Sequence, residues 1–354
     1  DRRGRARDRR SLPLLVPPGP GLRGHLVSRF AGRKHPALAG GCGTSILRTL
    51  FHFTARSASR RMRILFITSN RIGDAVLSTG LLAGLMERYP GAKIWVACGP
   101  LAVPIFEHAP GVEKVIVLKK EPWAGHWRKL LRQTMFRRFE AVVDLRGSAT
   151  AWLLWAKKRH VLRANHTLHR VIHNANVAGF DPAPWPRVWP GEAARKRARE
   201  LIPDGRVVLA IGPSANWPRK MWPIEYGAEL VRRLTGPGGP LEGVHVLIAA
   251  APGERELVKP IIDEVPDERR TELIGENLSL VAACFERVRL YIGNDSGLMH
   301  LAAAAGAPTL GLFGPTPDGR YDPWGTNTAR VRGPRSYEQI LAEEGEQYAG
   351  ESAM

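Results

Sequence analysis

Three loops of this sequence combine acids, cations and glycines in patterns that suit chemistry on a phosphate-linked substrate. The most specific is residues 291–302, Tyr-Ile-Gly-Asn-Asp-Ser-Gly-Leu-Met-His-Leu-Ala. A strand pattern ends there in a small polar turn, and a helix of small residues begins. The first N–H groups of a helix have no acceptor inside it and lie at the positive end of its dipole. The backbone at Ser296, Gly297 and Leu298 is therefore predicted to bind an anion, and it suits a diphosphate.

Two side chains in this segment have more than one interpretation. Asp295 precedes the predicted helix, so it either acts as the N-cap or contacts a bound donor. His300 follows Ser296 by four residues and lies on the same helix face. It either holds the turn or touches a phosphate, and the sequence alone leaves these alternatives open.

A second loop, residues 212–223, also follows a strand pattern and is rich in Pro, Trp and basic residues. Pro223 is predicted at the first position of the next helix, which places Arg219 and Lys220 just before a positive helix terminus. They are either a solvated charged pair or a phosphate clamp, with Lys220 as the point charge. Two further candidate donor-binding side chains in this loop are Ser214 and Asn216.

The third loop, Ser69-Asn70-Arg71-Ile72-Gly73-Asp74, joins the first predicted strand to the first helix. Asp74 either caps free N–H groups at the start of that helix or faces a cleft as a general base for an attacking hydroxyl. Gly73 would let a substrate approach the backbone closely. The loop is not a dinucleotide-binding fingerprint, because it lacks the repeated glycines of that motif.

Two more loops follow predicted strands and would line the same cleft. One is Phe313-Gly314-Pro315-Thr316. The other is Ala251-Pro252-Gly253-Glu254, which opens a helix. Glu254 either accepts hydrogen bonds from ribose hydroxyls or only supplies a negative charge at the helix N-terminus.

The order of strand and helix patterns predicts how these loops come together. Apolar strand runs alternate with helical segments from Met62 as far as a helix predicted over 151–157, and the alternation restarts at Glu192 and continues to Phe313. The Pro-rich stretch Asp181–Pro190 between them is predicted to be a linker. This alternation indicates an α/β protein with two doubly wound parallel-sheet domains, residues 62–190 and 191–335, and a tail at 336–354. Ligands of such sheets bind at the carboxyl ends of the strands, so a central cleft is expected.

Composition narrows the class of protein. The 354 residues are 44% hydrophobic and carry a formal charge of +19. Residues 1–61 hold 14 Lys+Arg and 2 Asp+Glu and are predicted to be a disordered basic extension, either a targeting peptide or an over-extended gene start. The three distant cysteines form neither a disulfide framework nor a zinc cluster. Such cysteines fit a reducing compartment, so a cytoplasmic protein is expected. No uninterrupted apolar run approaches the roughly 20 residues of a bilayer span, so the chain is expected to be soluble or peripheral.

In this order, the loops resemble those of glycosyltransferase family 9, the ADP-heptose:lipopolysaccharide heptosyltransferases, over about residues 62–335. The matching segments are Arg71-Ile72-Gly73-Asp74, Val143-Asp144-Leu145-Arg146-Gly147-Ser148, Lys220-x-Trp222-Pro223, Asp295-Ser296-Gly297-x-x-His300 and Phe313-Gly314-Pro315-Thr316. Each segment alone is a weak signal, but the ordered set is specific. One departure is Ser214-Ala215-Asn216, where family members often carry hydroxyls.

The resemblance implies a GT-B fold and an inverting transfer of heptose or a related sugar, with ADP-heptose as the expected donor and the lipopolysaccharide core as acceptor. It implies that Asp74 is the base, that Lys220 binds the donor phosphates and that the segment from Asp295 to His300 binds the donor. The residues expected on the acceptor side are Arg71, Gly73 and Arg146. No Asp-x-Asp occurs in the chain, so neither a metal nor a cofactor is expected, and Lys220 with the helix terminus would stabilise the leaving group.

Basic residues are concentrated in the first domain and alternate with tryptophans. They are Lys119, Lys120, Arg128, Lys129, Arg132, Arg137, Arg138, Lys157, Lys158 and Arg159, with Trp123, Trp127, Trp152 and Trp155 among them. A solvated face accounts for this pattern, and so does an anionic, lipid-linked glycan acceptor at the inner face of the cytoplasmic membrane.

Three rival functions are also compatible with parts of the sequence. A nucleic-acid-binding protein fits the net charge, but no nucleic-acid motif is present, so no nucleic-acid partner is expected. A sugar-nucleotide-binding module without catalysis fits the loops equally well. So does a GT-B transferase with another nucleotide sugar and another cell-surface glycan acceptor, because a fold does not fix a substrate.

Overall fold

The computed structural model describes residues 62–165 and 167–344, except the side chain of Glu344. The predictions for residues 1–61 and for the last ten residues lie outside this range. A first parallel sheet consists of β1 (Arg63–Ile67), β2 (Lys93–Cys98), β3 (Val112–Val117), β4 (Arg138–Asp144) and β5 (Trp155–Val161). Its strand order is β3-β2-β1-β4-β5. Helices α1 (Ile72–Arg88), α2 (Val103–Phe106), α3 (Gly125–Thr134), α4 (Thr150–Leu153) and α5 (Arg170–Asn176) connect or follow these strands, with short 3₁₀ turns at Pro100–Ala102 and Pro122–Ala124.

A second parallel sheet consists of β6 (Val208–Gly212), β7 (His245–Ala250), β8 (Arg270–Ile274), β9 (Leu290–Asn294), β10 (Thr309–Phe313) and β11 (Thr328–Arg332). Its order, β11-β10-β9-β6-β7-β8, is the Rossmann arrangement read from the far edge. The helices are α6 (Glu192–Leu201), α7 (Ile224–Thr235), α8 (Arg255–Ile262), α9 (Leu278–Phe285), α10 (Gly297–Ala304), α11 (Asp318–Tyr321) and α12 (Tyr337–Glu344), and 3₁₀ turns lie at Pro218–Lys220 and Asp267–Arg269.

Central strands of both sheets are buried on both faces, as parallel strands covered by helices must be. In β1 the run from Ile64 to Ile67 is fully buried, and in β6 every residue is buried. These strands contain few polar residues because neither of their faces is exposed to water. The prediction of two parallel-sheet α/β domains is therefore confirmed.

The two sheets share a continuous apolar core through their helices. Helix α10 packs on α1, and α6 packs on α9. One buried cluster contains Phe66 and Leu82 from the first domain together with Tyr291 and Met299 from the second. Burial of this apolar surface stabilises the folded protein by roughly 25 cal/mol per Å² of buried area. The loops at the carboxyl ends of β1 and β9 are therefore held on packed helices.

The Pro-rich segment 181–190 is neither helix nor strand, as predicted for the linker. It lies along α1, where two glycines make room for it. A Cβ at Gly80 would lie 2.2 Å from the carbonyl oxygen of Pro184, and a Cβ at Gly84 would lie 2.8 Å from the Pro184 ring. The linker is thus seated against the first helix.

One predicted element is wrong, and three strands lack a corresponding prediction. The helix predicted over 151–157 ends at Leu153, and Trp155 begins strand β5, whose register pairs Trp155 with Arg138. Strands β8 and β11 were not anticipated either. All three are edge strands, so they carry polar and charged residues rather than the apolar run of a central strand. In the predicted tail, α12 is helical and Ile340 is buried.

Among residues 62–165 and 167–344, no helix is both long and apolar enough to span a membrane.

Candidate active site

The carboxyl ends of β6, β9 and β10 bring three of the predicted loops into contact around one buried carboxylate. Asp295 is buried, and its Oδ2 accepts hydrogen bonds from Lys220 Nζ at 2.8 Å and Thr316 Oγ1 at 2.6 Å. The lysine is separated from the aspartate by 75 residues in the chain. An ammonium beside a carboxylate and a hydroxyl is well suited to exchange part of its contact with Asp295 for a phosphate oxygen.

Asn294 fixes the loop that carries Lys220. Its Nδ2 donates to the carbonyl oxygen of Pro213 at 2.6 Å, and its Oδ1 accepts from the backbone N–H of Trp222 at 3.1 Å. The buried asparagine therefore binds both ends of the segment between these residues. Asn294 lies in the predicted loop 291–302 but was not assigned a role.

Asp295 is not the N-cap of α10. That position is taken by Ser296, whose backbone is extended at φ −144°, ψ 170°, and the helix begins at Gly297. The Asp295 carboxylate instead accepts hydrogen bonds from Lys220 and Thr316, which lie in other loops. The first backbone N–H groups of α10 thus lie next to the Lys220–Asp295 pair, at the positive end of the helix dipole.

His300 lies beneath this helix terminus and is almost completely buried. Its Nε2 is 4.0 Å from Asp295 Oδ1, and within the described part of the chain its buried Nδ1 has no hydrogen-bond partner. Burial lowers the pKa of the imidazole to about 4, against the opposing attraction of the Asp295 carboxylate. His300 is therefore neutral at physiological pH.

This burial predicts an acid-sensitive stability. In the unfolded chain His300 binds a proton near pH 6.5, but in the folded protein only near pH 4, so the unfolded state binds more protons between these values and stability falls as the pH falls. A shift of this size corresponds to about 3 kcal/mol. From pH 6.5 to 4, we expect the urea-unfolding free energy to fall by about that much more than in His300→Asn. Parallel curves for the two proteins would contradict this expectation.

The predicted base, Asp74, lies in the first turn of α1 and does not occupy the N-cap, which is Arg71. Its Oδ1 is 3.4 Å from Nε of Arg170, at the start of α5, in an ion pair that lacks hydrogen-bond geometry. Arg170 was not predicted as a site residue, because nothing near it in the chain marks a site.

His169 connects this pair to the second domain. Its Nδ1 accepts from the backbone N–H of Val171 at 3.2 Å, so the ring proton is on Nε2, which donates to the carbonyl oxygen of Asp322 at 3.1 Å. The ring also stacks on Trp324, with centroids 4.5 Å apart. The start of α5, and with it Arg170, is therefore anchored to the loop after α11.

The N-termini of α1 and α10 are in direct contact. A Cβ at Gly297 would lie 2.8 Å from Ile72 Cγ2 and 3.1 Å from the backbone nitrogen of Gly73. A Cβ at Gly73 would lie 3.1 Å from His300 Cδ2. These two glycines allow the helix ends to approach closely, so Asp74, in the first turn of α1, lies near the N-terminus of α10.

A further loop at the carboxyl end of β4 is shaped by the buried Asp144. Its carboxylate accepts from the backbone N–H groups of Arg146 and Ser148 and from Ser148 Oγ, at 2.6–2.9 Å. Gly147 has φ +63°, which favours glycine there. The Arg146 guanidinium lies 4.7 Å from the Trp127 ring centroid. Burial lowers the pKa of Arg146, against the attraction of Asp144, but the group stays cationic at neutral pH.

The other predicted donor residues lie at the same edge of the second sheet. Ser214 is buried and Asn216 is exposed. Glu254 precedes α8, and its carboxylate accepts from the backbone N–H of Ala251 at 2.7 Å. It thus closes its own turn. Pro223 was predicted to be the first residue of α7, and this is wrong. It is the N-cap, and the helix begins at Ile224.

The chain is similar in sequence and in fold to known glycosyltransferases. Residues 146–348 match the model of glycosyltransferase family 9 (heptosyltransferase). Lipopolysaccharide heptosyltransferase 2 of Escherichia coli K12 is 27% identical over 315 residues, which cover 76% of this chain and 87% of that protein. The crystal structure of a family 9 glycosyltransferase from Veillonella parvula superposes with a TM-score of 0.67 at 23% identity, covering 80% of this chain and 89% of that one. The structure of E. coli ADP-heptose lps heptosyltransferase II gives 0.64 at 22% identity, with coverage of 82% and 100%.

Two parallel-sheet domains of this kind form the GT-B fold, which the similar solved structures share. The chain belongs to glycosyltransferase family 9. This membership confirms the resemblance drawn from the ordered loops, and it identifies the protein as an enzyme.

Proposed function

We propose that this protein transfers heptose from ADP-heptose to an acceptor sugar of the lipopolysaccharide core, with inversion at the anomeric carbon and without a metal ion or other cofactor. The names of similar proteins support the choice of donor and acceptor. The proposal rests on how the start of α1 and the start of α10 are arranged around Lys220. A carboxylate in the first turn of α1 lies close to the N-terminus of α10 on the second domain, beside which Lys220 is hydrogen-bonded to Asp295.

In the proposed reaction, Asp74 accepts the proton of an acceptor hydroxyl. The hydroxyl oxygen then forms a bond to the anomeric carbon as the bond from that carbon to the diphosphate oxygen breaks. The electron pair leaves with the nucleoside diphosphate, and the anomeric configuration inverts because attack comes from the opposite face. General-base assistance of this kind contributes about 10²- to 10⁴-fold in rate.

Charge on the departing diphosphate is stabilised by groups that are already in place. Lys220 supplies a cation, and the N–H groups at the start of α10 supply donors and a favourable dipole. Asp295 and Thr316 orient the lysine. Because His300 is neutral and buried beside them, it offers one N–H or one lone pair to the donor and no charge.

The test is calorimetric titration of the full chain with ADP-, UDP-, GDP- and CMP-sugars, with and without EDTA. We expect ADP-heptose alone to bind with micromolar affinity and EDTA to leave that affinity unchanged. Transfer to a heptose-free lipopolysaccharide core should then give a product of inverted linkage. Preference for a different nucleotide would contradict the donor assignment. Transfer that EDTA abolishes and Mg²⁺ restores would contradict the metal-free mechanism.

Arg170 is expected to be a positioning residue for Asp74. In Arg170→Ala the carboxylate loses its cationic neighbour at 3.4 Å, so we expect kcat to fall about 10- to 100-fold, since misplacement by 1 Å is enough for such losses. The KM for the donor should change less than threefold. Arg170→Lys should recover part of kcat. Equal losses in both variants, or a matching loss of donor affinity, would assign Arg170 a different role.

A further inference from the structure

Positive charge is concentrated in one segment of the first domain. Residues 62–354 hold 38 Lys+Arg and 31 Asp+Glu, and residues 119–159 alone hold 11 and 3. The rest of the range from 62 onward is therefore close to neutral. Charge of one sign on one surface indicates an anionic partner.

The same segment exposes large apolar side chains. Trp123 is 89% exposed, Phe136 is 82% and Trp152 is 65%, and three more in this segment are exposed as well. Those three are Met135, Leu153 and Trp155. Single exposed apolar residues are ordinary, but a group of them among cations is typical of an interaction surface.

Helix α3 contacts α4, and α4 contacts the edge strand β5, so these residues are grouped at one edge of the first sheet. Arg128, Arg132 and Phe136 follow one another at intervals of four residues and are exposed, while Leu130 and Thr134 are buried. Parallel pairing then sets Arg138 opposite Trp155, with the guanidinium 5.5 Å from the ring centroid. We call this surface, formed by residues 119–138 and 152–159, the basic aromatic flank.

The turn before α3 is strained in a way that presents a tryptophan. Trp123 and Ala124 have φ angles of +54° and +57°, in the left-handed region that side chains other than glycine rarely adopt. Such conformations persist where a function or the surrounding structure requires them. Here the strained turn leaves an almost fully exposed indole next to the exposed Lys119 and Lys120.

We infer that the basic aromatic flank docks the enzyme on an anionic lipid bilayer. Exposed Trp and Phe with Leu and Met suit the boundary between headgroups and acyl chains, where indole rings are enriched. The cations suit the phosphates of anionic lipids. A single-stranded nucleic acid would use the aromatic rings for stacking but would leave Leu153 and Met135 without a role.

This inference deepens the proposed function, on which it rests for the lipid-linked acceptor. Trp127, a half-buried member of the flank, lies with its ring centroid 4.7 Å from the Arg146 guanidinium. Arg146 lies in the loop after β4, at the carboxyl edge of the first sheet. A bilayer against the flank would therefore hold a lipid-anchored glycan close to the acceptor side of the cleft.

The experiment measures cosedimentation of the full chain with phosphatidylcholine vesicles and with vesicles containing 30% phosphatidylglycerol. We expect binding only to the anionic vesicles. In the variant Trp123→Ser/Phe136→Ser/Trp152→Ser, affinity should fall about 100-fold, because each side chain loses its burial. The matched control is Val207→Ser/Leu257→Ser/Val331→Ser, which removes exposed apolar residues from the second domain and should keep affinity within twofold.

A second pair of variants tests where the charge acts. Arg128→Gln/Arg132→Gln/Arg137→Gln should weaken binding about fivefold per side chain, or about 100-fold in all. Lys196→Gln/Arg197→Gln/Arg206→Gln removes the same charge from the second domain and should weaken it less than fivefold. Both retain residues 1–61, so any contribution of that segment is common to all variants.

Three results would overturn the inference: equal losses in the flank and control variants, equal binding to neutral and anionic vesicles, or no vesicle binding. Loss of polyuridylate binding in the flank variants, with vesicle binding intact, would assign the surface to nucleic acid instead. ADP-heptose affinity, measured by calorimetry on the same variants, should be unchanged throughout. A native protein that fails to bind ADP-heptose but binds anionic vesicles through the flank would contradict the proposed function and leave this inference standing.

Discussion

Asp74→Asn should lower kcat for heptose transfer by about 10³-fold, within the range that a general base contributes. The amide keeps the size of the side chain but cannot accept the hydroxyl proton. Donor affinity should stay within twofold, because the proposed donor contacts are on the second domain, around Lys220 and α10. Single-turnover transfer assays and calorimetry with ADP-heptose measure the two quantities.

The matched control is Glu87→Gln, which makes the same change of acid to amide near the other end of α1. Glu87 is exposed and pairs with Arg187, so its loss should leave kcat within twofold. If Asp74→Asn keeps more than a tenth of native kcat, Asp74 is not the base. If donor binding disappears together with turnover, Asp74 binds the donor instead.

The central strands and the edge strand β3 could be predicted from the sequence, and the other three edge strands could not. β1, β6 and β9 are short apolar runs because helices cover both faces of the sheet. β5, β8 and β11 each pair with one neighbouring strand only. They therefore tolerate polar and charged residues, as in the β5 sequence Trp-Ala-Lys-Lys-Arg-His-Val. Their strand conformation is set by pairing with a neighbour, which is a tertiary contact that periodicity does not report.

Candidate site residues could be selected by loop position, but their partners depend on contacts distant in the chain. The carboxyl ends of neighbouring parallel strands share one edge, so the topology predicts that Lys220 and Asp295 approach each other. The sequence left open whether Asp295 is an N-cap, and the structure excludes that role, because Ser296 is the N-cap and the Asp295 carboxylate accepts hydrogen bonds from Lys220 and Thr316. Arg170 follows no strand of recognisable pattern, and its approach to Asp74 depends on how α5 packs on α1.

Lys220→Ala should have the other large effect, lowering kcat/KM for the donor by about 10²- to 10³-fold, as expected for removal of a preorganised group that stabilises developing charge. The variant also leaves Asp295, whose side chain is 4% exposed, without its cation. Breaking a buried pair costs about 3–5 kcal/mol, and because Lys220 itself is 21% exposed we expect a smaller loss, near 2 kcal/mol, in urea unfolding. Lys259→Ala breaks an exposed pair with Asp263 and should change stability by less than about 1 kcal/mol and activity not at all.

The double variant Lys220→Ala/Asp295→Asn separates these two effects. Neutralising the buried carboxylate removes the unpaired charge, so most of the lost stability should return, with Thr316 Oγ1 still within reach of the amide oxygen. Turnover should not return, because the cation at the diphosphate is still missing. If turnover and stability recover together, the role of Lys220 is to neutralise Asp295, and the diphosphate must be stabilised by the N-terminus of α10 and other groups. If neither recovers, Asp295 has a role of its own in the folded site beyond holding the lysine.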